Sequence, residues 1–513
     1  MELQVLSFPI LFSFLLFMFM VLNILGKSFK THHSSSLPPG PWKMPIFGNM
    51  HNFLSGSPPY RALRDLAKKH GPLMLLRLGE VSTVVVSSAE YAKEVLKTHD
   101  AIFASRPRVL TSEILSYDCS SIGFSPLGDY WRQLRKICVL ELLSPKRVES
   151  YRSLREEELS NFIEWIRIAA KAGSPVNLSS KVFSIVYGIT SRAAFGNKCE
   201  DQEKFIQIVK DVIDFASGFN IADFFPSIKL LHVISGVRPK LEKMHKEADM
   251  IMERIISEHM AKATSAKAGE AAAEEDLIDV LLKFHDEHGD TEFSLTKNNI
   301  KAVILDVFSA GSETSAIAII WAMAEMMKNP EVMMKAQAEV REVFDRKGRV
   351  DETAINEMKY LKALVKETLR ARPPSPLLLP RESTERCEIN GYEIPAKTKV
   401  LVNVWAIARD PKYWTEPESF KPERFLDSSI DFKGNNFEYL PFGAGRRVCP
   451  GYTFALVIVE YTIALLLYHF DWTLPNGMKH EDLDMTEIAS ATAGRKEDLV
   501  LIPTVHDNPL PVE

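Results

Sequence analysis

The hydrophobic pattern falls into three regimes: an almost unbroken apolar opening, a short stretch of alternation, and a long remainder with helical spacing. Over residues 3–25 the only polar interruptions are Gln4, Ser7, Ser13 and Asn23. About 20 such residues suffice to cross a bilayer as a helix. A cleaved signal peptide is the rival reading. It fits poorly, because no Lys or Arg precedes the run and no small-residue cleavage site follows it. Glu2 stands before the run and Lys27, Lys30 and Lys43 after it, so the positive-inside rule leaves the bulk of the chain in the cytosol.

Leu37-Pro38-Pro39-Gly40-Pro41 cannot extend that helix, since proline fixes φ and removes backbone donors. The expected layout is a transmembrane anchor over residues 1–26, a basic and Pro-rich hinge over 27–45, and one large domain over 46–513. Leu73-Met74-Leu75-Leu76-Arg77-Leu78 and Thr83-Val84-Val85-Val86 flank Gly79-Glu80 and predict a hairpin. Asn390-Gly391, between alternating residues, predicts a second. Helical patterns dominate from Glu90 onward, including a long helix over about 300–328 closed by Asn329-Pro330. Residues 262–275 are rich in Ala, Lys, Glu and Ser and read as a surface loop. The fold class is mainly α with a minor β component, and no internal repeat is present.

Composition narrows the function more than the fold. The net charge of −5 gives no support to nucleic-acid binding, which usually shows a basic excess. Cys119, Cys138, Cys199, Cys387 and Cys449 are widely spaced and form no C-x-x-C pair, so neither a disulfide framework nor a structural zinc site is expected. A reducing compartment follows. Asn177-Leu178-Ser179 has the form of a glycosylation site, but in a cytosolic domain it reads as a helix start or plain loop.

The chemistry concentrates around Cys449. Phe442-Gly443-Ala444-Gly445-Arg446-Arg447-Val448-Cys449-Pro450-Gly451 sets three glycines and two arginines about one cysteine, with a helical pattern starting at Tyr452. Glycines let a backbone approach a flat ligand closely. Amides and a helix N-terminus aimed at sulfur favour the thiolate. Taken alone, the segment fits an iron ligand or a buried structural cysteine.

Phe442, Gly445, Arg447, Cys449 and Gly451 satisfy F-x-x-G-x-R-x-C-x-G, and here the chain resembles the cytochrome P450 family. Other segments extend the resemblance in order. Glu367-Thr368-Leu369-Arg370 resembles the family's E-x-x-R and Pro422-Glu423-Arg424-Phe425 its P-E-R-F. Ala310-Gly311-Ser312-Glu313-Thr314 resembles the oxygen-binding groove of its central helix. Local matches, among them Pro38-Pro39-Gly40-Pro41 and Leu142-Leu143-Ser144, point to the plant microsomal branch, nearest its sesquiterpene and diterpene hydroxylases. One departure is Arg372, which stands where that branch usually has His.

The resemblance implies a haem-thiolate fold binding haem b, with Cys449 as the iron ligand. Trp131, Arg135, Arg381 and Arg447 are then expected at the haem propionates, and Phe442 and Gly451 against the macrocycle. Glu367, Arg370 and Arg424 are expected in one buried ion network. Thr314, with Glu313 beside it, is expected to relay protons through water. The implied activity is insertion of one atom of O2 into an apolar small molecule, most simply a terpenoid. Electrons would come from NADPH through NADPH–cytochrome P450 reductase at the endoplasmic reticulum membrane. An alkaloid or phenylpropanoid substrate, a reductase-independent isomerase or lyase, and a haem carrier are the alternatives.

Overall fold

The computed structural model describes residues 36–506, apart from 55, 197–200, 216–220, 266–274, 286–293 and 489. The apolar opening and Cys199 lie outside the described residues, as does most of the Ala/Lys/Glu-rich stretch. The principal elements are α1 (Pro59–His70), β1 (Leu73–Leu78), β2 (Val81–Val86), α2 (Asp129–Ile137), α3 (Arg152–Lys171), α4 (Leu178–Phe195), α5 (Val237–Ser265), α6 (Lys297–Lys328), α7 (Pro330–Lys347) and α8 (Lys359–Ala371). They continue with β3 (Arg381–Glu382), β4 (Cys387–Ile389), β5 (Tyr392–Ile394), β6 (Lys399–Val402), α9 (Tyr452–His469), β7 (Phe470–Thr473) and β8 (Val500–Val505). Residues 262–265, read as loop, instead continue α5.

The largest sheet has the order β1-β2-β6-β3, with β2 and β6 parallel and the other pairs antiparallel. Its β1-β2 hairpin turns at Gly79-Glu80 with Leu78 opposite Val81, as the alternation predicts. At the second hairpin Asn390 and Gly391 have φ of 49° and 83°, the two left-handed positions that an Asn-Gly turn supplies. Pro39 is laid along β1, its carbonyl accepting from the Leu75 amide at 2.8 Å. The Asn49 side chain holds the next turn through the carbonyls of Pro41 and Trp42.

Helix α6 organises the core. Thr296 caps it by accepting from the Asn299 amide, and Asn299 returns the bond to the Thr296 amide. Pro330 ends it and opens α7 at the one position where a missing N–H costs nothing. From Ser315 to Met327 every residue is buried, so this half is apolar on all sides and packs against α4, α8 and α9. Among the described residues, α6 and α9 are long and apolar enough to cross a membrane, but both lie largely inside the core. Asn177 resolves as a helix start: its side chain caps α4 by accepting from the Ser180 amide at 2.9 Å.

Candidate active site

The loop before α9 is shaped by two glycines in the left-handed region, Gly443 at φ 69° and Gly445 at φ 71°. At Gly445 a Cβ would fall 2.2 Å from the Leu96 carbonyl oxygen and 2.7 Å from Asp100 Oδ1, so only glycine fits. Asp100, 5% exposed, binds the loop by accepting from the Arg446 amide at 2.9 Å and from Arg381 at 3.2 Å. The turn closes with the Cys449 amide donating to the Phe442 carbonyl at 3.0 Å. Phe442 packs its ring against Phe432 and Tyr452.

Cys449 is half-buried at the foot of α9, two residues before the N-cap Gly451. Burial pushes its thiol up, while the Gly451 amide and the Arg135 charge pull the other way. The amides expected to favour the thiolate are in place, but desolvation outweighs them. A metal cation at the sulfur reverses that balance, so the donor chemistry fits an iron ligand.

Facing this loop is the middle of α6. Ala310 is exposed although it lies near the centre of a 32-residue helix with buried faces, which marks a recess there. Thr314 donates its hydroxyl to the Ala310 carbonyl at 2.6 Å. At Gly311 a Cβ would meet Phe454 at 3.8 Å and Thr190 at 4.0 Å, ordinary contact distances that place this residue between α9 and α4. Glu313 takes another face of the helix from Thr314 and accepts from the Tyr187 hydroxyl of α4 at 3.2 Å.

Four guanidinium groups gather beside the cysteine loop. Arg135 donates to the Val448 carbonyl at 2.6 Å, and Arg447 to the carbonyls of Ala104, Ile122 and Ser125. Arg381 bridges Asp100 and the Ala444 carbonyl. Arg106, which no sequence motif marked, donates to the carbonyls of Gly123, Leu379 and Pro380. Burial and the neighbouring Arg447 and Arg381 hold Arg106 well below its ordinary range, and burial with Arg381 and Arg135 brings Arg447 down to about 9. Most of their bonds go to neutral carbonyls, with Asp100 and Asp306 as the nearby carboxylates. Such a cluster lacks negative charge and suits a ligand with carboxylates of its own, as haem has. Trp131 contributes as a platform: its N–H is taken by the Ile122 carbonyl at 3.1 Å and its ring lies 4.0 Å from the Arg447 guanidinium.

Behind the loop, Arg370 meets Glu367 in a two-bond fork and also donates to the carbonyls of Ala408 and Pro417. Arg424 joins Glu367 at 3.4 Å. The expected ion network is thus assembled. Arg372 belongs elsewhere. Its guanidinium binds Glu325 and Glu487, each at 2.8 Å, and so takes no part in the cationic cluster.

Comparison with known proteins accords with this geometry. The cytochrome P450 family model matches residues 38–500. The chain is 58% identical over 491 residues to cytochrome P450 71D11 of Lotus japonicus, covering 96% of this chain and 99% of that one. It is 52% identical to premnaspirodiene oxygenase of Hyoscyamus muticus and 52% identical to desmethyl-deoxy-podophyllotoxin synthase of Sinopodophyllum hexandrum, with 98% of both chains covered in each case. A solved zebrafish cytochrome P450 with progesterone superposes with a TM-score of 0.74 at 24% identity, covering 88% of this chain and all of that one, which shows the shared fold.

Proposed function

The chain belongs to the cytochrome P450 family of haem monooxygenases, and from that premise we propose that it oxidises an apolar terpenoid, a sesquiterpene or a diterpene. Family membership implies haem, O2, a small-molecule substrate and a redox partner. The finer reading is that NADPH–cytochrome P450 reductase supplies the electrons at the endoplasmic reticulum membrane.

Cys449 would hold the iron, and Arg135, Arg381 and Arg447 would hold the propionates, with Trp131 supporting Arg447 from below. Haem ligated by a thiolate supplies the oxygen-activating chemistry, breaking O–O and inserting one oxygen atom into a C–H or C=C bond. Thr314 keeps a proton at Oγ1 and, with that hydroxyl also able to accept, passes it toward the recess. Glu313, held toward Tyr187 on another face of α6, would replenish it only through intervening water. This Glu-Thr pair disfavours a reductase-independent isomerase or lyase, whose chemistry needs no proton relay.

The substrate reading is carried by composition: the segments that the family resemblance implies as pocket lining, Thr111 to Leu115, Val307 to Gly311, Leu377-Leu378-Leu379 and Ile488 to Ala491, are mainly aliphatic or small and contain no Lys or Arg; Ala489 lies outside the described residues. Burying hydrocarbon there contributes about 25 cal/mol per Å², whereas a carboxylate without a cationic partner would be heavily penalised. Similarity to premnaspirodiene oxygenase supports the same class. An alkaloid, which Asp306 or Glu313 could meet, or a phenylpropanoid, whose hydroxyls Thr111, Ser309 or Ser490 could meet, is the second reading.

Membrane attachment is supported by the apolar run over residues 3–25 and by an exposed apolar patch. Trp42 and Phe47 border it on one side, and Leu230, Val233 and Ile234 on the other, with Phe47 and Phe225 in ring contact between them.

Spectral titration tests the substrate class. Premnaspirodiene and other sesquiterpene or diterpene hydrocarbons should move the Soret band to shorter wavelength. Shifts with amines or phenols and none with terpenes would overturn the proposal.

A further inference from the structure

We propose that Arg372 is a positioning residue for substrate selection, setting the hairpin of residues 487–488 and 490–495 over the recess by gripping Glu487 and Glu325 together. The inference rests on the reading that this recess takes the substrate.

Arg372 lies at the C-terminal end of α8, and its guanidinium stacks 4.2 Å from the ring of Trp321 on α6. Nε donates to Glu325 of α6 and Nη1 to Glu487, both at 2.8 Å. Glu487 is 5% exposed, and its second oxygen accepts from the Tyr60 hydroxyl at 2.7 Å and from Arg61 at 2.7 and 3.0 Å. Two carboxylates thus bond Arg372 and the partly exposed Arg61, with Arg495 and Arg409 nearby, in a site that ties α1, α6, α8 and the hairpin together.

The hairpin folds on itself through Glu487 opposite Arg495, with the Ile488 amide donating to the Gly494 carbonyl at 2.9 Å. One leg is pinned by Arg372. The other is pinned at Ala493, whose carbonyl accepts from Trp321 Nε1 at 2.7 Å and whose amide donates to the Pro374 carbonyl at 2.9 Å. At Gly494 a Cβ would sit 3.7 Å from both Ile488 and Ile317, which places Ile488 beside α6 three residues beyond Thr314. Pro374 also leads directly into Leu377-Leu378-Leu379. Arg372 thus stands at the root of two lining segments without entering the recess.

The planar fork is what the role requires. A lysine keeps the charge but reaches as a single point, and an imidazole is shorter. With either residue Glu487 keeps Arg61 and Tyr60, so its leg stays tied to α1 while the fork that fixes it against α6 and α8 is lost.

The test uses the haem-loaded full chain and two iron-binding probes of different size, imidazole and 4-phenylimidazole. Arg372→Lys, Arg372→His and Glu487→Gln should keep the carbon-monoxide spectrum and bind imidazole as the parent does. Their affinity for 4-phenylimidazole should fall about fivefold or more, with the Arg372→Lys/Glu487→Gln double variant little worse than either single one. Amide exchange over the hairpin should quicken. Glu487→Gln decides the matter if an Arg372 variant fails to load haem. Equal shifts for both probes, or unchanged 4-phenylimidazole binding and exchange, overturn the assignment. Absence of any imidazole-induced Soret change in the parent would overturn the haem-pocket reading, and this inference with it.

Discussion

Glu367 and Arg370, three residues apart on α8, are joined by two hydrogen bonds of 2.7 and 2.8 Å while both side chains are completely shielded from solvent. A charged pair so deep survives because its remaining donors and acceptors are satisfied. Arg370 donates to backbone carbonyls, and Glu367 Oε1 accepts from the Lys421 amide at 2.9 Å. Removing Glu367 strands the Arg370 charge, and removing Arg370 leaves Glu367 with Arg424 alone at 3.4 Å, at about 3–5 kcal/mol for a buried pair so broken. Arg370→Ala and Glu367→Gln should therefore lower the thermal midpoint sharply and yield little haem-loaded protein. A midpoint within a degree or two of the parent would refute this role.

Cys449→Ala should abolish the red-shifted Soret band of the reduced, carbon-monoxide-bound protein. The backbone bond from the Cys449 amide to Phe442 does not depend on the side chain, so circular dichroism should show the fold retained. Persistence of the thiolate-type spectrum would mean that another group binds the iron.

Thr314→Ala removes a hydroxyl whose intrahelical bond to Ala310 contributes little to stability. The variant should load haem and consume NADPH normally, yet release several-fold more peroxide per product, an effect of about the size expected for one proton-relay group. An unchanged ratio of product to NADPH would take Thr314 out of the relay.

His469 gives the protein an acid sensitivity unconnected with catalysis. It is fully buried at the end of α9, neither ring nitrogen has a partner, and burial, aided by Arg167 and His506, lowers its pKa to about 3. The unfolded chain takes up this proton near pH 6.5 and the folded chain only near 3. Stability from this group is thus complete above about 6.5 and drains away as pH falls through that window, on the order of 5 kcal/mol in total. His469→Leu should flatten the decline of the thermal midpoint between pH 6.5 and 4. A decline identical to the parent's would assign it to other groups.

A chain starting near Ser34 should keep its haem spectrum, because the first ties of the described fold lie beyond it: the Ser36 carbonyl accepts from the Glu393 amide at 2.9 Å and the Pro39 carbonyl from Leu75 at 2.8 Å. The full chain should resist alkaline carbonate extraction. Cleavage of the mature protein near residue 26 would support a signal peptide instead.

What could be read from the sequence was local. The Asn390-Gly391 turn, the cap at Asn177 and the end of α6 at Asn329-Pro330 each depend on a few consecutive residues with one favoured backbone conformation, and each stands in the structure. The fork of Glu367 and Arg370 was legible because residues at i and i+3 share a helix face. Arg372 was legible only as an oddity. Its partners are 47 and 115 residues away, and nothing local says which carboxylates the fold will deliver. Asp100 and Arg106 escaped for the same reason, since they bind backbone atoms of distant loops and backbone leaves no mark in a sequence.

The bond from the Leu75 amide to the Pro39 carbonyl limits how far the enzyme can stray. Between the proposed anchor and the first described residue lie only residues 27–35, a leash that reaches about 30 Å when fully stretched. If the proposed anchor holds a bilayer, the domain, with its leading edge stitched to β1, could not swing away from the lipid by much more than its own radius. An oily compound dissolved in that bilayer would then be sampled from a two-dimensional reservoir, where its local concentration far exceeds its solubility in water.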